Sequence, residues 1–197
     1  MAIDQVNAPM AVEDLALVLD WAALEGWNPG VAAAEAFHSA APEGFFLARV
    51  AGEPVAALSV VYHDAAHAFL GLYLCLPAWR GRGFGFKLWA HALAHAGGRS
   101  VGLDGVPDQE ANYRASGFVK TGSSLRYVGQ VSPERSPQIR AVAPPDQGAL
   151  LALDAAANGF PRPRFTSAWL RDVPGQRVSY VLSRNGEIEG FAPRRAC

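Results

Sequence analysis

Cysteine is scarce in this chain: two residues in 197, Cys75 and Cys197. One lies inside an apolar run and the other is the last residue, so they build no disulfide framework and suit a reducing cytoplasm. An excess of charge is missing too. The formal net charge is −1, which leaves no basic field to attract nucleic acid. No apolar run approaches the ~20 residues that a membrane crossing needs. The opening MAIDQVNAPMAVEDL has neither the basic start nor the apolar core of a signal peptide. The histidines do not form a metal set. His91 and His95 are four apart, but no acid or cysteine accompanies them at ligand spacing, and His63 and His67 are no better placed.

What remains is the composition of a globular protein with a real core: half the residues are apolar and 18% are charged. IDQV (3–6) reads as a short strand. AVEDLALVLDWAALEGW (11–27) has Leu15, Val18, Leu19 and Ala22 at helical spacing, and Gly26 ends it. A second helix follows Pro29. GFFLARV and PVAALSVVYH flank AGEP as a hairpin, and FLGLYLCL (69–76) is a third strand closed by Pro77. A helix from about Gly83 to Ala96 comes next, with Leu88, Ala92 and Leu93 on one face. SVGLDGV reads as a short buried strand. PDQEANYRASG is a helix with Pro in its first turn and Gly at its end, and FVKTGSSLRYVGQV (118–131) gives two strands or one bent strand.

SPERSPQ (132–138) then reads as a linker. Beyond it the chain echoes its own start: QGALLALDAAANGFP follows EDLALVLDWAALEGWNP, and YVLSRNGEIEGF follows FLARVAGEPVAAL. The alternative is coincidence between Ala/Leu-rich helices. A duplication divides the chain into residues 1–131, the linker 132–138 and a partial second unit, 139–197, that stops without a counterpart to the glycine-rich segment described next. That second unit reads as incomplete, with a strand edge that lacks a neighbour.

The most informative segment is Arg80-Gly81-Arg82-Gly83-Phe84-Gly85, between a strand and a helix. A helix N-terminus offers free main-chain N–H groups and a positive dipole end. Glycines let an anion approach those groups with no Cβ in the way. The natural occupant is a diphosphate, with arginines adding charge-assisted contacts. No Gly-Lys-Ser/Thr ends the segment, so it is not a Walker loop. The spacing G-x-G-x-G and the three preceding strands separate it from a dinucleotide fingerprint. The bland alternative is a tight turn with solvated arginines.

Arg80, Gly83 and Gly85 match motif A of the GNAT superfamily, R/Q-x-x-G-x-G/A. LYLCLPAWR resembles that family's fourth strand. NYRASGF resembles its tyrosine–x3–glycine–phenylalanine motif, with Tyr113, Gly117 and Phe118 in place. The element order β-α-α-β-β-β-α-β-α-β over about residues 3–131 is similar as well. EGWNPG, GFGFKLW and GLDGV further resemble a bacterial subgroup carrying a second GNAT-like domain. The resemblance implies an α/β (α+β) acyl-CoA N-acyltransferase fold, with a mixed sheet whose fourth and fifth strands splay apart. It implies acetyl-CoA (coenzyme A) as co-substrate and no metal. The pantetheine arm would lie on Leu74, Cys75 and Leu76, and the diphosphate on Arg80, Gly81, Arg82, Gly83, Phe84 and Gly85. The acceptor would be a primary amine on a small molecule or a protein. A homodimer in the cytoplasm, with no membrane and no nucleic acid partner, completes the expectation.

Acyl transfer to an amine needs a polarised carbonyl, a neutral amine and a proton for the leaving thiolate. Tyr113 is the candidate acid, since a phenol with pKa ~10 is protonated at neutral pH; otherwise it is a structural helix residue. Asp104 is either a proton acceptor or counter-ion for the amine, or a cap for the following helix. Trp27 and Asn28 lie where the resemblance places the acceptor pocket; the alternative is that Asn28 caps a helix. Trp89 reads as core. Arg126, Arg162 and Arg164 either reach the cofactor's 3′-phosphate or are solvated. Two other functions share the same motif: an acyl-CoA sensor without turnover, and a binder of another nucleotide phosphate.

Overall fold

The computed structural model describes residues 4–30, 32–130, 132 and 136–196. Ile3, Val131, residues 133–135 of the linker and Cys197 lie outside them. The first unit runs β1 (Gln5–Pro9), α1 (Val12–Leu24), α2 (Ala33–Ala40), β2 (Phe45–Val50), β3 (Glu53–Tyr62), β4 (His67–Cys75), α3 (Phe84–Ala96), β5 (Ser100–Leu103) and α4 (Glu110–Ala115). Its strands form one sheet in sequence order. β1 to β4 are antiparallel neighbours, and β5 returns through α3 to lie parallel to β4. A parallel return needs a crossover, and the amphipathic α3 supplies it.

The period-two pattern of β2 and β3 splits the core between the two faces of the sheet. Phe46, Ala48, Val55, Leu58 and Val60 pack with Phe84, Leu88, Trp89 and Ala92 of α3. Phe45, Leu47, Ala57 and Leu74 pack on the other face with Leu15, Val18, Leu19 and Ala22 of α1 and Ala33 of α2. Leu15, Val18, Ala22, Leu58 and Leu88 are wholly buried. Burying such a leucine or valine stabilises the fold by about 1.5–3 kcal/mol.

The second unit runs β6 (Ile139–Ala141), α5 (Gln147–Asn158), α6 (Pro163–Trp169), β7 (Arg177–Arg184) and β8 (Glu187–Arg195). Its three strands are antiparallel in the order β6-β7-β8. The likeness to β1-α1-α2-β2-β3 extends to details. The turn Ala51-Gly52 has φ 50° and 85°, and Asn185-Gly186 has φ 51° and 84°, the left-handed pair of a two-residue hairpin turn. A register shift follows Ala48 in the β2–β3 pairing and Leu182 in the β7–β8 pairing, two positions 134 residues apart. Both hairpins therefore repeat one geometry.

Three sequence expectations are corrected. Residues 118–130 form no strand: they are irregular and nearly all exposed, with Val119, Leu125, Tyr127 and Val128 in solvent. Their alternating pattern satisfies β propensity, but a strand needs a partner backbone, and none lies beside them among the described residues. The expected final strand of the first unit is thus missing. β5 is only four residues long and alternates exposed with half-buried positions, so it is not a buried strand. Asn28 caps no helix, because α2 begins five residues later behind Ala32.

Candidate functional site

The opening between β4 and β5 has a local cause. β5 pairs with His67–Leu70 only, yet β4 continues to Cys75. On the β3 side, Ala57 faces Leu74 and Ser59 faces Gly71, so Leu72 and Tyr73 together oppose Leu58. That is a bulge, and Leu72 sits in it at φ 49°. A left-handed leucine costs about 1–2 kcal/mol and persists only where its surroundings impose it. The bulge bends β4 away from β5 just where their pairing stops. Among the described residues, β5 gives residues 71–75 no main-chain partner; apart from the Cys75 carbonyl, which Arg80 takes, that edge can take an added extended chain.

The strand's side chains alternate beyond the bulge. Leu74 is buried on the α1 face, where Leu72 and Leu76 pack too; Tyr73 and Cys75 lie on the α3 face. After Cys75 comes a single 3-10 turn, Pro77–Trp79, then the glycines. Gly83 caps α3 at φ 84°, a conformation that selects glycine. A β-carbon on Gly81 or Gly83 would meet nothing within 4 Å, so the space in front of both is open. Lys87 is the first residue of α3 to bond back, to the Gly83 carbonyl at 3.0 Å. The earlier N–H groups of the first turn have no helical partner. Open space before free N–H groups fits a diphosphate.

Gly85 also has a packing reason to be glycine. Its missing β-carbon leaves room for the Tyr73 hydroxyl, 3.0 Å from where that carbon would stand. Both arginines make contacts within and beside the turn. Arg80 Nε donates to the Cys75 carbonyl at 2.8 Å and its guanidinium pairs with Glu25 at the end of α1. Arg82 lies over the rings of Trp79 and Phe84, at 4.5 and 5.2 Å. Both shape the turn.

Two phenols flank the gap. Trp89, buried on α3, lies 5.1 Å from the Tyr73 ring and 6.0 Å from the Tyr113 ring. Phe118 closes the cluster at 5.9 Å from Trp89. Burial pushes the Tyr113 hydroxyl above the ordinary phenol value. Burial also raises Tyr73, reinforced by its neighbours Cys75 and Tyr113. Burial raises the Cys75 thiol, opposed by Arg80 and by the Gly85 N–H. All three groups are therefore protonated at neutral pH, so Tyr113 can donate a proton. Tyr73 escaped the sequence reading; its spacing two residues before Cys75 was the available signal.

Asp104 follows β5, exposed, with its carboxylate accepting a long 3.4 Å bond from Ser124. The following 3-10 turn is preceded by Val106, with no side-chain cap, so the capping alternative is excluded. Trp27 is half-buried and packs on the cluster that holds Leu72, Leu74 and Leu76. Asn28 is exposed and is held by Arg195 of the second unit. Of the other arginines, Arg126 is exposed and Arg162 pairs with Asp154 at 2.9 Å. Among the described residues, no three His, Cys, Asp or Glu gather as a metal set, and no helix is long and apolar enough to cross a membrane.

Comparison with known proteins bears on this geometry. Residues 13–122 match the acetyltransferase (GNAT) family. The chain is 35% identical over 192 residues to holothin acyltransferase of Pseudoalteromonas sp. (strain SANK 73390), covering 96% of this chain and 65% of that protein. It therefore spans just under two thirds of that relative's length. Among solved structures, an acetyltransferase of Pyrococcus horikoshii superposes with a TM-score of 0.70 at 19% identity, over 95% of this chain and 70% of its own. Ard1 of Thermoplasma volcanium matches 60% of this chain and 84% of its own with a TM-score of 0.54 at 22% identity. At these identities both show a shared fold.

Proposed function

The chain belongs to the acetyltransferase (GNAT) family, and we propose that it transfers an acetyl group from acetyl-CoA to a primary amine. One observation carries the reading. β4 parts from β5 at the Leu72 bulge and runs directly into the open glycine turn before α3. A slot for an amide-bearing arm and a cradle for a diphosphate thus adjoin on one strand.

Bound acetyl-CoA supplies the activated thioester carbonyl. The chain's own groups do the rest. The main chain of Leu74, Cys75 and Leu76 lies along the amides of the pantetheine arm, and a gap-side N–H such as that of Cys75 polarises the carbonyl, the Leu76 N–H being held by the Val55 carbonyl. The N–H groups from Arg82 to Gly85 hold the diphosphate. Tyr113, protonated and half-buried beside the gap, donates to the departing thiolate. Asp104, whose partner among the described residues is a hydroxyl, takes a proton from the incoming ammonium or pairs with it. The cofactor's diphosphate is bound at α3, so the amine approaches from the opposite face of the sheet. There Trp27 covers the β4 end.

The test is thiol release from acetyl-CoA with a panel of holothin, tyramine, spermidine and a lysine peptide. Release with at least one amine is expected, and Tyr113→Phe should lower kcat by about 100-fold or more. CoA should raise the melting temperature of both proteins equally, while ATP and NAD should not. Stabilisation by CoA without release from any amine would make the protein an acyl-CoA sensor. An unchanged kcat in Tyr113→Phe would remove that phenol from the reaction.

A further inference from the structure

Arg177 and Arg195 are direct cross-strand partners on β7 and β8. Like charges in that position repel each other, and among the described residues neither makes a salt bridge. Arg177 is 5% exposed. Its guanidinium lies 4.8 Å from the centre of the Trp169 ring and donates to the main-chain carbonyls of Arg171 at 3.1 Å, Ala168 at 3.4 Å and Ala32 at 3.4 Å. Arg195 donates to the main-chain carbonyl of Asn28 at 2.9 Å and to its side-chain Oδ1 at 3.4 Å. It also fills the space beside Gly30, where a β-carbon would fall 2.2 Å from a guanidinium nitrogen. Both arginines of the pair thus reach the main chain between α1 and α2 of the other unit.

A third contact fixes the far end of that stretch. Trp169 of α6 stacks on Phe37 of α2, with centroids 5.4 Å apart and planes at 13°; Phe165 stacks on the same two rings at 6.2 and 5.9 Å. Such stacks add about 0.5–1.5 kcal/mol each beyond the area they bury. The near end is tied at Glu25, which pairs with Arg80 of the glycine turn. Residues 25–37 are therefore strung between the cofactor cradle and the second unit. Among the described residues, none from Trp27 to Ala32 belongs to a strand or helix, so these outside contacts determine the path there.

We propose that the Arg177–Arg195 pair makes the second unit the holder of the acceptor-side segment, with Arg195 a positioning residue for the amine. This rests on the acyltransferase reading above. The segment lies on the α1 face, away from α3, and Trp27 packs with the β4 residues that carry the gap. Removing the clamp loosens the wall that an amine meets and leaves the cradle intact. A first unit without its clamp would bind the cofactor and admit amines poorly and unselectively.

Two measurements test it on the full chain. In Arg195→Ala, amide exchange over residues 26–33 should speed up at least tenfold while the β2–β3 hairpin is unchanged; equal exchange overturns the clamp. With the best amine of the panel, the KM for amine should rise at least fivefold, with kcat and the KM for acetyl-CoA within twofold. Arg195→Lys, which keeps a donor, should recover part of the loss. A rise in the KM for acetyl-CoA instead, or no rescue by lysine, overturns the positioning role. If the wild type turns over no amine, the acyltransferase reading falls and the acceptor role with it, whereas the exchange result still decides the clamp.

Discussion

The Tyr113 ring occupies the space that a β-carbon on Gly105 would need: one ring carbon lies 2.4 Å from that point and another 2.7 Å. The glycine just after β5 thus places the candidate acid beside the gap. In Gly105→Ala the ring must move, against Trp89 and Phe118 packed on its other sides. Overpacking of this kind costs about 1–3 kcal/mol. The expected outcome is a lower melting temperature and a kcat loss approaching that of Tyr113→Phe, with CoA stabilisation retained. Wild-type kcat would show that the ring's position does not matter.

Gly83→Ala separates occupancy from folding. The site is open, so the new methyl meets no protein atom, but φ 84° strains it by about 1–2 kcal/mol. Gly186→Ala is the control, with φ 84° and nothing within 4 Å, in the β7–β8 turn of the second unit. Both should lose similar stability, and only Gly83→Ala should lose CoA binding, by tenfold or more in Kd. Equal CoA affinity in the two variants would place the diphosphate elsewhere.

The pH dependence of turnover follows from the raised phenol. Tyr113 must be protonated to donate, and burial raises its pKa above the ordinary value. The acid form therefore persists through neutral and mildly alkaline pH, and kcat should fall only above about pH 10. In Tyr113→Phe this alkaline limb should vanish. A limb near pH 7 would point to a different group.

Asp146 gives a stability prediction with the opposite sign. Hydrogen bonds from Arg140, at 2.6 and 2.8 Å, and from the Ala143 N–H lower its pKa to about 2. The stabilisation is fully present above the ordinary carboxylate range and is lost as pH falls from there towards about 2. Asp146→Asn should lower the melting temperature at pH 7 and narrow its gap to the wild type on acidification. A gap that stays constant would mean that the carboxylate charge is not what stabilises β6 and α5.

The repeated hairpins make an internal comparison. The second unit has Asn-Gly in its left-handed turn and the first has Ala-Gly, with Ala51 at φ 50°. Asparagine tolerates that conformation better than alanine. Ala51→Asn should therefore stabilise the fold by about 0.5–1 kcal/mol, or roughly 2–4 °C per kcal/mol in melting temperature. A drop in melting temperature would show that the asparagine side chain finds no compatible place there.

Much of this protein was legible before the fold. The helical period of Leu15, Val18, Leu19 and Ala22 put α1 on the sheet, and Gly83 in its setting marked the start of α3, because only glycine adopts that cap freely. Tyr113 was legible through a motif. Other features were not local. The two strands or one bent strand expected over 118–131 have the right residues but no neighbouring backbone among the described residues. Arg80 and Glu25 are 55 residues apart, and Arg195 and Asn28 are 167 apart.

What the sequence alone determined was periodicity and special backbone: which residues face the core, and where glycine must stand. These depend on the residues within one or two turns of chain. Only the tertiary structure decided the bulge at Leu72, the parting of β4 from β5, the redirection of Arg80 and the grip of the second unit. Each of these depends on which distant groups come together to satisfy a charge, a carbonyl or a strand edge, and no local spacing encodes that choice.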